Sequence, residues 1–288
     1  MKVLVFGGSG FLGSHVSDKL SDSGYSVTIF DRVKSPFLRS DQAMIIGDLK
    51  DHLLIKESVS THDYVFNFAA LADLNQALDK PIQTIETNIL NNAYIMDACV
   101  KYRVKRFVYA STVYVNSREG GFYRCSKQAS EQYLEEYNKV FGLEYTILRY
   151  GSLYGPRSDL SNGLYRIVKD ALVSGSVIYE GSPESLREYI HVEDAALASV
   201  KALGDEFRNQ SVVLTGQEPM RVIDLLYMLA EILGIHNQVL FKESDQPGHY
   251  TRTPYAYQPR LGRKYIPPFH VDLGQGLLQL IEEVKKDL

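Results

Sequence analysis

Tyr123 and Lys127 stand four positions apart in Tyr123-Arg124-Cys125-Ser126-Lys127, and on a helix that spacing puts a phenol and an ammonium on one face, one turn apart. A cation beside a phenol stabilises phenolate. The spacing therefore predicts a lowered tyrosine pKa and a group able to exchange a proton with a substrate hydroxyl or carbonyl. In a chain with 20 tyrosines the spacing alone discriminates poorly, and Tyr165 and Lys169 repeat it. Position separates the two pairs. Tyr123 follows an apolar run that ends in the hydroxyls Ser111-Thr112, whereas Tyr165 lies beyond the last regular alternation and reads as surface helix. Either Ser111 or Thr112 could hydrogen-bond the reacting oxygen, and the sequence leaves the choice between them open.

A second constellation, Gly7-Gly8-Ser9-Gly10-Phe11-Leu12-Gly13, directly follows the first apolar run and opens the first helical segment. Gly7 suits the turn, Gly10 lets backbone approach a pyrophosphate, Gly13 allows close helix–strand packing, and the amides around Phe11 and Leu12 supply donors at a helix N-terminus. This predicts dinucleotide binding. Asp31, at the end of the next strand, would accept from adenosine ribose hydroxyls and repel a 2'-phosphate, which favours NAD, while Arg32 could pair with such a phosphate. Asp48, followed by Leu49, could accept from the adenine amino group or cap a helix. Ala69 and Ala70 leave room for cofactor beside the sheet edge, or are ordinary small-residue packing. Hydride would travel between the nicotinamide and the carbon whose oxygen meets Tyr123.

The elements that must position these residues are legible as apolar runs alternating with helical periods. Strands are expected at Lys2 to Phe6, Ser26 to Phe30, Ala43 to Ile46, Tyr64 to Phe68, Arg106 to Ala110 and Glu144 to Leu148. Helices are expected at Phe11 to Ser23, Pro81 to Tyr102 and Tyr123 to Phe141. That is an α/β, Rossmann-type doubly wound parallel sheet over residues 1–150. After Arg149 the alternation fades into Gly, Pro, Ser and Asn clusters. Residues 151–187 and 216–288 are read as a smaller, discontinuous substrate lobe, with 188–215 returning to the sheet.

Bulk properties narrow the partners. The 35 acidic and 31 basic side chains give a net charge of -4, which favours no nucleic acid partner. Two cysteines and seven scattered histidines predict neither a disulfide framework nor a metal site. Neither a signal-type segment nor an eighteen-residue apolar span is present, so the expectation is a cytoplasmic protein without membrane contact.

In this order, the glycine turn, Asp31, the hydroxyl pair and the Tyr–Lys pair resemble the extended short-chain dehydrogenases/reductases that act on nucleotide sugars, the NAD-dependent epimerases and dehydratases. The likeness runs nearly the whole length and takes in Thr87-Asn88, the segment from Leu148 to Arg157, and Leu186-Arg187-Glu188-Tyr189-Ile190-His191-Val192. The resemblance implies that Tyr123, Lys127 and Ser111 or Thr112 are catalytic, that Lys127 also touches cofactor, that Asn88 and Ser152 contact substrate, and that Arg187 meets the diphosphate. By residue chemistry alone Arg187 could equally pair with Glu184 or Glu188. Arg252 and Arg260, among the tyrosines of 250–265, could clasp base and phosphate or form an exposed basic loop.

Two departures bear on mechanism. Only eleven positions link Thr112 to Tyr123, which predicts a more open pocket, and Ser152 stands where relatives carry asparagine. Thr112 is followed by Val113-Tyr114 rather than by an acidic residue, which disfavours elimination, although Glu119 could supply a carboxylate. The expected activity is epimerisation of a nucleotide-activated sugar through a transient keto intermediate. A keto-sugar reductase or dehydrogenase is the alternative, and a non-catalytic dinucleotide sensor the outsider. The resemblance also implies a homodimer, paired through the two long helices.

Overall fold

The first six strands run parallel because each apolar run but the second is followed by a helix that must cross back over the sheet, while the second returns to the third through the helix-free stretch 32–42. In the computed structural model, which describes residues 1–235, 239–242, 250 and 252–254, the elements follow in chain order. They are β1 (Lys2–Phe6), α1 (Phe11–Asp22), β2 (Ser26–Asp31), β3 (Ala43–Ile46), α2 (His52–Val59), β4 (Tyr64–Asn67), α3 (Leu74–Asp79), α4 (Pro81–Ile85), α5 (Asn91–Lys101), β5 (Arg106–Thr112), α6 (Gly121–Phe141) and β6 (Tyr145–Tyr150). There follow β7 (Ser152–Tyr154), α7 (Gly163–Ser174), β8 (Val177–Glu180), β9 (Leu186–Arg187), β10 (Tyr189–His191), α8 (Val192–Lys201), β11 (Gln210–Leu214), β12 (Met220–Arg221), α9 (Val222–Ile232) and β13 (Val239–Lys242). All described residues fall within one compact unit, Met1–Tyr257.

Seven strands form the main sheet in the order β11-β6-β5-β4-β1-β2-β3, every neighbouring pair parallel. This is the Rossmann-type α/β fold. Val3, Leu4, Val5 and Phe6 are all fully buried, because a strand covered on both faces has no polar side to show. One apolar layer joins Phe107, Tyr109 and Ile147 to Leu134 of α6. The opposite layer joins Val5, Val108 and Leu148 to Val16 of α1 and Ala195 of α8. The chain leaves β1 toward β2 and β3 and resumes on the other side at β4. The crevice between β1 and β4, at the carboxyl ends of the strands, is where such sheets take their ligands.

Element ends differ from the sequence reading in ways that matter below. β5 runs on to Thr112, because Ser111 and Thr112 stay in register with Arg149 and Tyr150 of β6. The helix expected over 81–102 holds a π-helical turn, Glu86–Leu90, between α4 and α5. β11 lies beside β6 in the main sheet. Residues 151–242 otherwise add small two-stranded pairings, β10 with β7, β12 with β9 and β13 with β8, and a separate apolar cluster of Ala171, Val177, Val222, Leu226 and Ala230. Among the described residues no helix is long and apolar enough to cross a membrane.

Candidate active site

The glycine turn closes so tightly that two of its glycines are dictated by the protein itself. Gly7 has φ +75°, and a Cβ there would lie 2.6 Å from the Ala69 amide nitrogen. A Cβ on Gly13 would lie 2.2 Å from the Gly7 carbonyl oxygen. Gly10 differs. Its backbone is ordinary (φ -77°, ψ 179°), and the nearest atom to a Cβ would be at 3.4 Å, a normal contact. Among the described residues no packing requires Gly10 to be bare. α1 opens at Gly10 with neither a side-chain cap nor an acidic residue in its first turn, so its amides and its positive dipole end are left for an anion. A cradle that a methyl group would fill, at a helix N-terminus, fits a dinucleotide pyrophosphate.

Around this cradle, Asp31 accepts from the Ser9 amide at 3.0 Å and the Val33 amide at 3.4 Å, which fixes its carboxylate at the end of β2. Arg32 is exposed. Asp48 does not cap α2. It accepts from the Lys50 amide at 2.9 Å, and the cap is Asp51, which accepts from Leu54. Leu12, Leu49 and Ala69 turn their side chains into the apolar layers. Ala70 is half-buried and Phe11 packs edge-on against His15.

Tyr123 and Lys127 occupy the first turns of α6. The helix is entered through a short turn at Val113–Asn116 and Gly120, whose φ is +93° and whose Cβ would strike the Tyr114 ring at 2.7 Å. This glycine lets the eleven-residue link close. Lys127 is buried and donates to the Ala110 carbonyl at 2.7 Å, with Nζ 5.8 Å from the centre of the Tyr123 ring. Successive residues of an extended strand point opposite ways, and so the hydroxyl pair divides. Thr112 hydrogen-bonds the Tyr123 phenol. Ser111, buried, instead donates to Glu131 Oε1 at 2.5 Å, so of the two hydroxyls that the sequence leaves open it is Thr112 that meets the phenol. Tyr165 and Lys169, the competing pair, are exposed on α7.

The lowered tyrosine pKa expected from the spacing is not found. Burial pushes the Tyr123 phenol up to about 12, against the pull of the Thr112 hydrogen bond. Burial likewise brings the Lys127 ammonium down to about 7, with Glu131 opposing. Desolvation outweighs the pairing, because an ammonium only half charged near neutrality, and bound to a carbonyl, cannot acidify its neighbour much.

The resemblance implies a substrate contact for Asn88. It is buried, and its amide is spent within the protein: Oδ1 accepts from Leu71 N at 2.8 Å, while Nδ2 donates to the Leu71 carbonyl at 3.0 Å and to Ser126 Oγ at 2.9 Å. Carried on the π turn, it pins the loop after β4 to α6. Ser152 lies on β7, 3.5 Å from the Tyr250 hydroxyl. Arg187 is buried rather than paired at the surface, with its guanidinium 4.5 Å over the Tyr250 ring, while Glu184 pairs with Arg221. Arg252 is exposed and bridges to Leu186. Arg260 lies outside the described residues.

The sequence reading missed Glu131, which accepts from Ser111 and is held by Arg149 through Nη2–Oε2 at 2.7 Å. Its one available signal was the position four residues after Lys127.

The "NAD dependent epimerase/dehydratase family" matches residues 3–214. A UDP-N-acetyl-alpha-D-glucosaminuronate decarboxylase of Bacillus cytotoxicus is 30% identical over 77% of this chain and 77% of its own. A UDP-glucose 4-epimerase of Thermotoga maritima, solved with UDP-glucose, superposes with a TM-score of 0.80 at 29% identity, covering 89% of this chain and 90% of that one. The Thermus thermophilus UDP-glucose 4-epimerase, solved with NAD, does so at 0.79 and 26% identity, covering 91% and 95%. With the family model spanning most of its length and the two solved relatives covering it nearly end to end, the chain belongs to the NAD-dependent epimerase/dehydratase family of nucleotide-sugar enzymes.

Proposed function

We propose that the protein is a nucleotide-sugar epimerase that oxidises one sugar carbon transiently and reduces it from the opposite face. The observation that carries this reading is the Thr112–Tyr123 hydrogen bond beside buried Lys127, with the apolar Val113 directly after Thr112. The site then has one acid–base group for one hydroxyl. It lacks the carboxylate that elimination or decarboxylation would ask for at that place.

In the first half-reaction Tyr123, ionised to phenolate when cofactor is bound, receives the hydroxyl proton and becomes phenol, while Thr112, bonded to the same oxygen, holds the donor and acceptor oxygens in line. Bound NAD supplies the hydride acceptor and, when oxidised, a positive charge that favours phenolate. Lys127 adds its own charge below about pH 7 and keeps its Nζ against the cofactor-facing end of β5. In the second half-reaction the phenol returns its proton to the carbonyl oxygen. Arg187, desolvated over Tyr250, is suited to a diphosphate because a guanidinium can meet two phosphate oxygens at once. Arg252 stands beside it through the bridge to Leu186.

Purified protein loaded with NAD and given UDP-glucose should form the sugar epimer with no net change in nicotinamide absorbance. Stoichiometric NADH would favour a dehydrogenase or keto-sugar reductase, and loss of water or carbon dioxide would place the chain with the dehydratases and decarboxylases of its family. The exposed Ile82, Ile85, Leu90, Phe122, Tyr133, Val140 and Phe141 along α4 to α6 support a homodimer through these helices. Light scattering should then give twice the chain mass, and a monomer at micromolar concentration would remove the dimer.

A further inference from the structure

The carboxylate of Glu131 sits one helical turn beyond Lys127, buried, and each of its oxygens is engaged. Oε1 accepts from Ser111 Oγ of β5 at 2.5 Å and from Arg149 Nε of β6 at 3.1 Å, and Oε2 accepts from Arg149 Nη2 at 2.7 Å. Removing an ion pair from water is costly. Three convergent hydrogen bonds from two strands to one helix residue are more than packing alone requires.

We propose, resting on the functional reading above, that Glu131 is the positioning residue of the Tyr123–Lys127 pair: it clamps α6 to the carboxyl ends of β5 and β6 and supplies the counter-charge for the lysine. The clamp sets the geometry. Ser111 and Thr112 are adjacent, so the strand end that Glu131 holds is the one that presents Thr112 to the phenol and the Ala110 carbonyl to Nζ. The counter-charge sets the protonation. Lys127 faces Tyr109 of β5 at 4.7 Å and Tyr123 of its own helix at 5.8 Å, both neutral phenols at neutral pH. Arg149 of β6 stands behind the carboxylate. Among the described residues Glu131 is the charged group that opposes the loss of the lysine proton.

The test is a titration of the full chain with lysine labelled at the ε carbon, followed by NMR, with Lys127→Met assigning the resonance. In the unaltered protein the Lys127 signal should titrate near pH 7, and in Glu131→Gln its midpoint should fall by at least about one pH unit, near tenfold in proton affinity. In turnover, the alkaline limb of kcat should move to lower pH by the same amount, with KM for the sugar nucleotide within about twofold. Should Glu131→Gln leave Arg149 too costly to bury, the double variant Glu131→Gln/Arg149→Met removes both charges; its Lys127 midpoint should still fall, by less than in the single variant, because the lost cation stood behind the carboxylate. A folded variant with an unmoved Lys127 midpoint overturns the proposal. A protein that turns over no sugar nucleotide would sink the functional reading instead, and the lysine titration would still decide the role of Glu131.

Discussion

Tyr123→Phe should lower kcat by about 100- to 10,000-fold, the range that a positioned proton-transfer group contributes, while NAD affinity and thermal stability stay close to those of the unaltered protein. The argument is local. Phenylalanine keeps the ring that lies 5.8 Å from Lys127 Nζ and removes only the oxygen that Thr112 bonds. KM for the sugar nucleotide should change little, because the lost interaction acts where the proton moves rather than on the diphosphate. Steady-state kinetics alongside a thermal melt measure this. A variant with kcat within tenfold of normal would assign the proton transfer to another group, and Glu119 would be the next to examine.

The second large effect separates two glycines only three positions apart, Gly10 and Gly13. Gly13→Ala puts a methyl carbon 2.2 Å from the Gly7 carbonyl oxygen, so backbone must shift between α1 and the end of β1. The fold should lose several kcal/mol, in the upper range for a single substitution, seen as a large drop in melting temperature with or without NAD. Gly10→Ala should behave differently. Its methyl meets nothing closer than 3.4 Å and its backbone angles suit alanine, so the free protein should melt within a few degrees of normal. NAD affinity should nevertheless fall by about 100-fold, roughly 2.7 kcal/mol, because the methyl fills the approach to the helix N-terminus. Calorimetric titration with NAD distinguishes the two. Gly10→Ala that binds NAD normally would remove the pyrophosphate from that cradle.

Much of the frame could be read from residues because buried parallel strands carry few polar positions: Val3 to Phe6 and Val108 to Ala110 announce themselves as apolar runs between turn residues. The same reading found the return of β11, since Val212-Val213-Leu214 is such a run. It failed where tertiary pairing decides. Stopping β5 at Ala110 left Ser111 and Thr112 as an undifferentiated pair, and only the register with Arg149 and Tyr150 shows that they turn to different partners. The π turn at Glu86–Leu90 has no compositional mark, so the bonds that tie the Asn88 amide to Leu71 and Ser126 were not legible in the sequence. Glu131 on a helix reads as a solvated charge until Arg149, eighteen residues on, is seen to meet it. The strands outside the main sheet, two to four residues long, are too short to display a period.

The expectation about the phenol failed for a different reason. Spacing reports proximity but not desolvation, and here burial moves Tyr123 up to about 12 and Lys127 down to about 7. The pair is set as a protonated phenol beside a lysine poised to change charge near neutrality. Its chemistry therefore depends on what charge enters the site and on the carboxylate one turn away.

Turnover of UDP-glucose by the NAD-loaded protein in deuterium oxide, with the product analysed by NMR, tests the central claim most directly. If the carbon-bound hydrogen leaves and returns within the closed site while Tyr123 handles only the hydroxyl proton, the epimer should carry no deuterium on carbon. Deuterium at any sugar carbon would mean that a carbon acid is formed and reprotonated from solvent, which contradicts a mechanism of transient oxidation served by one phenol.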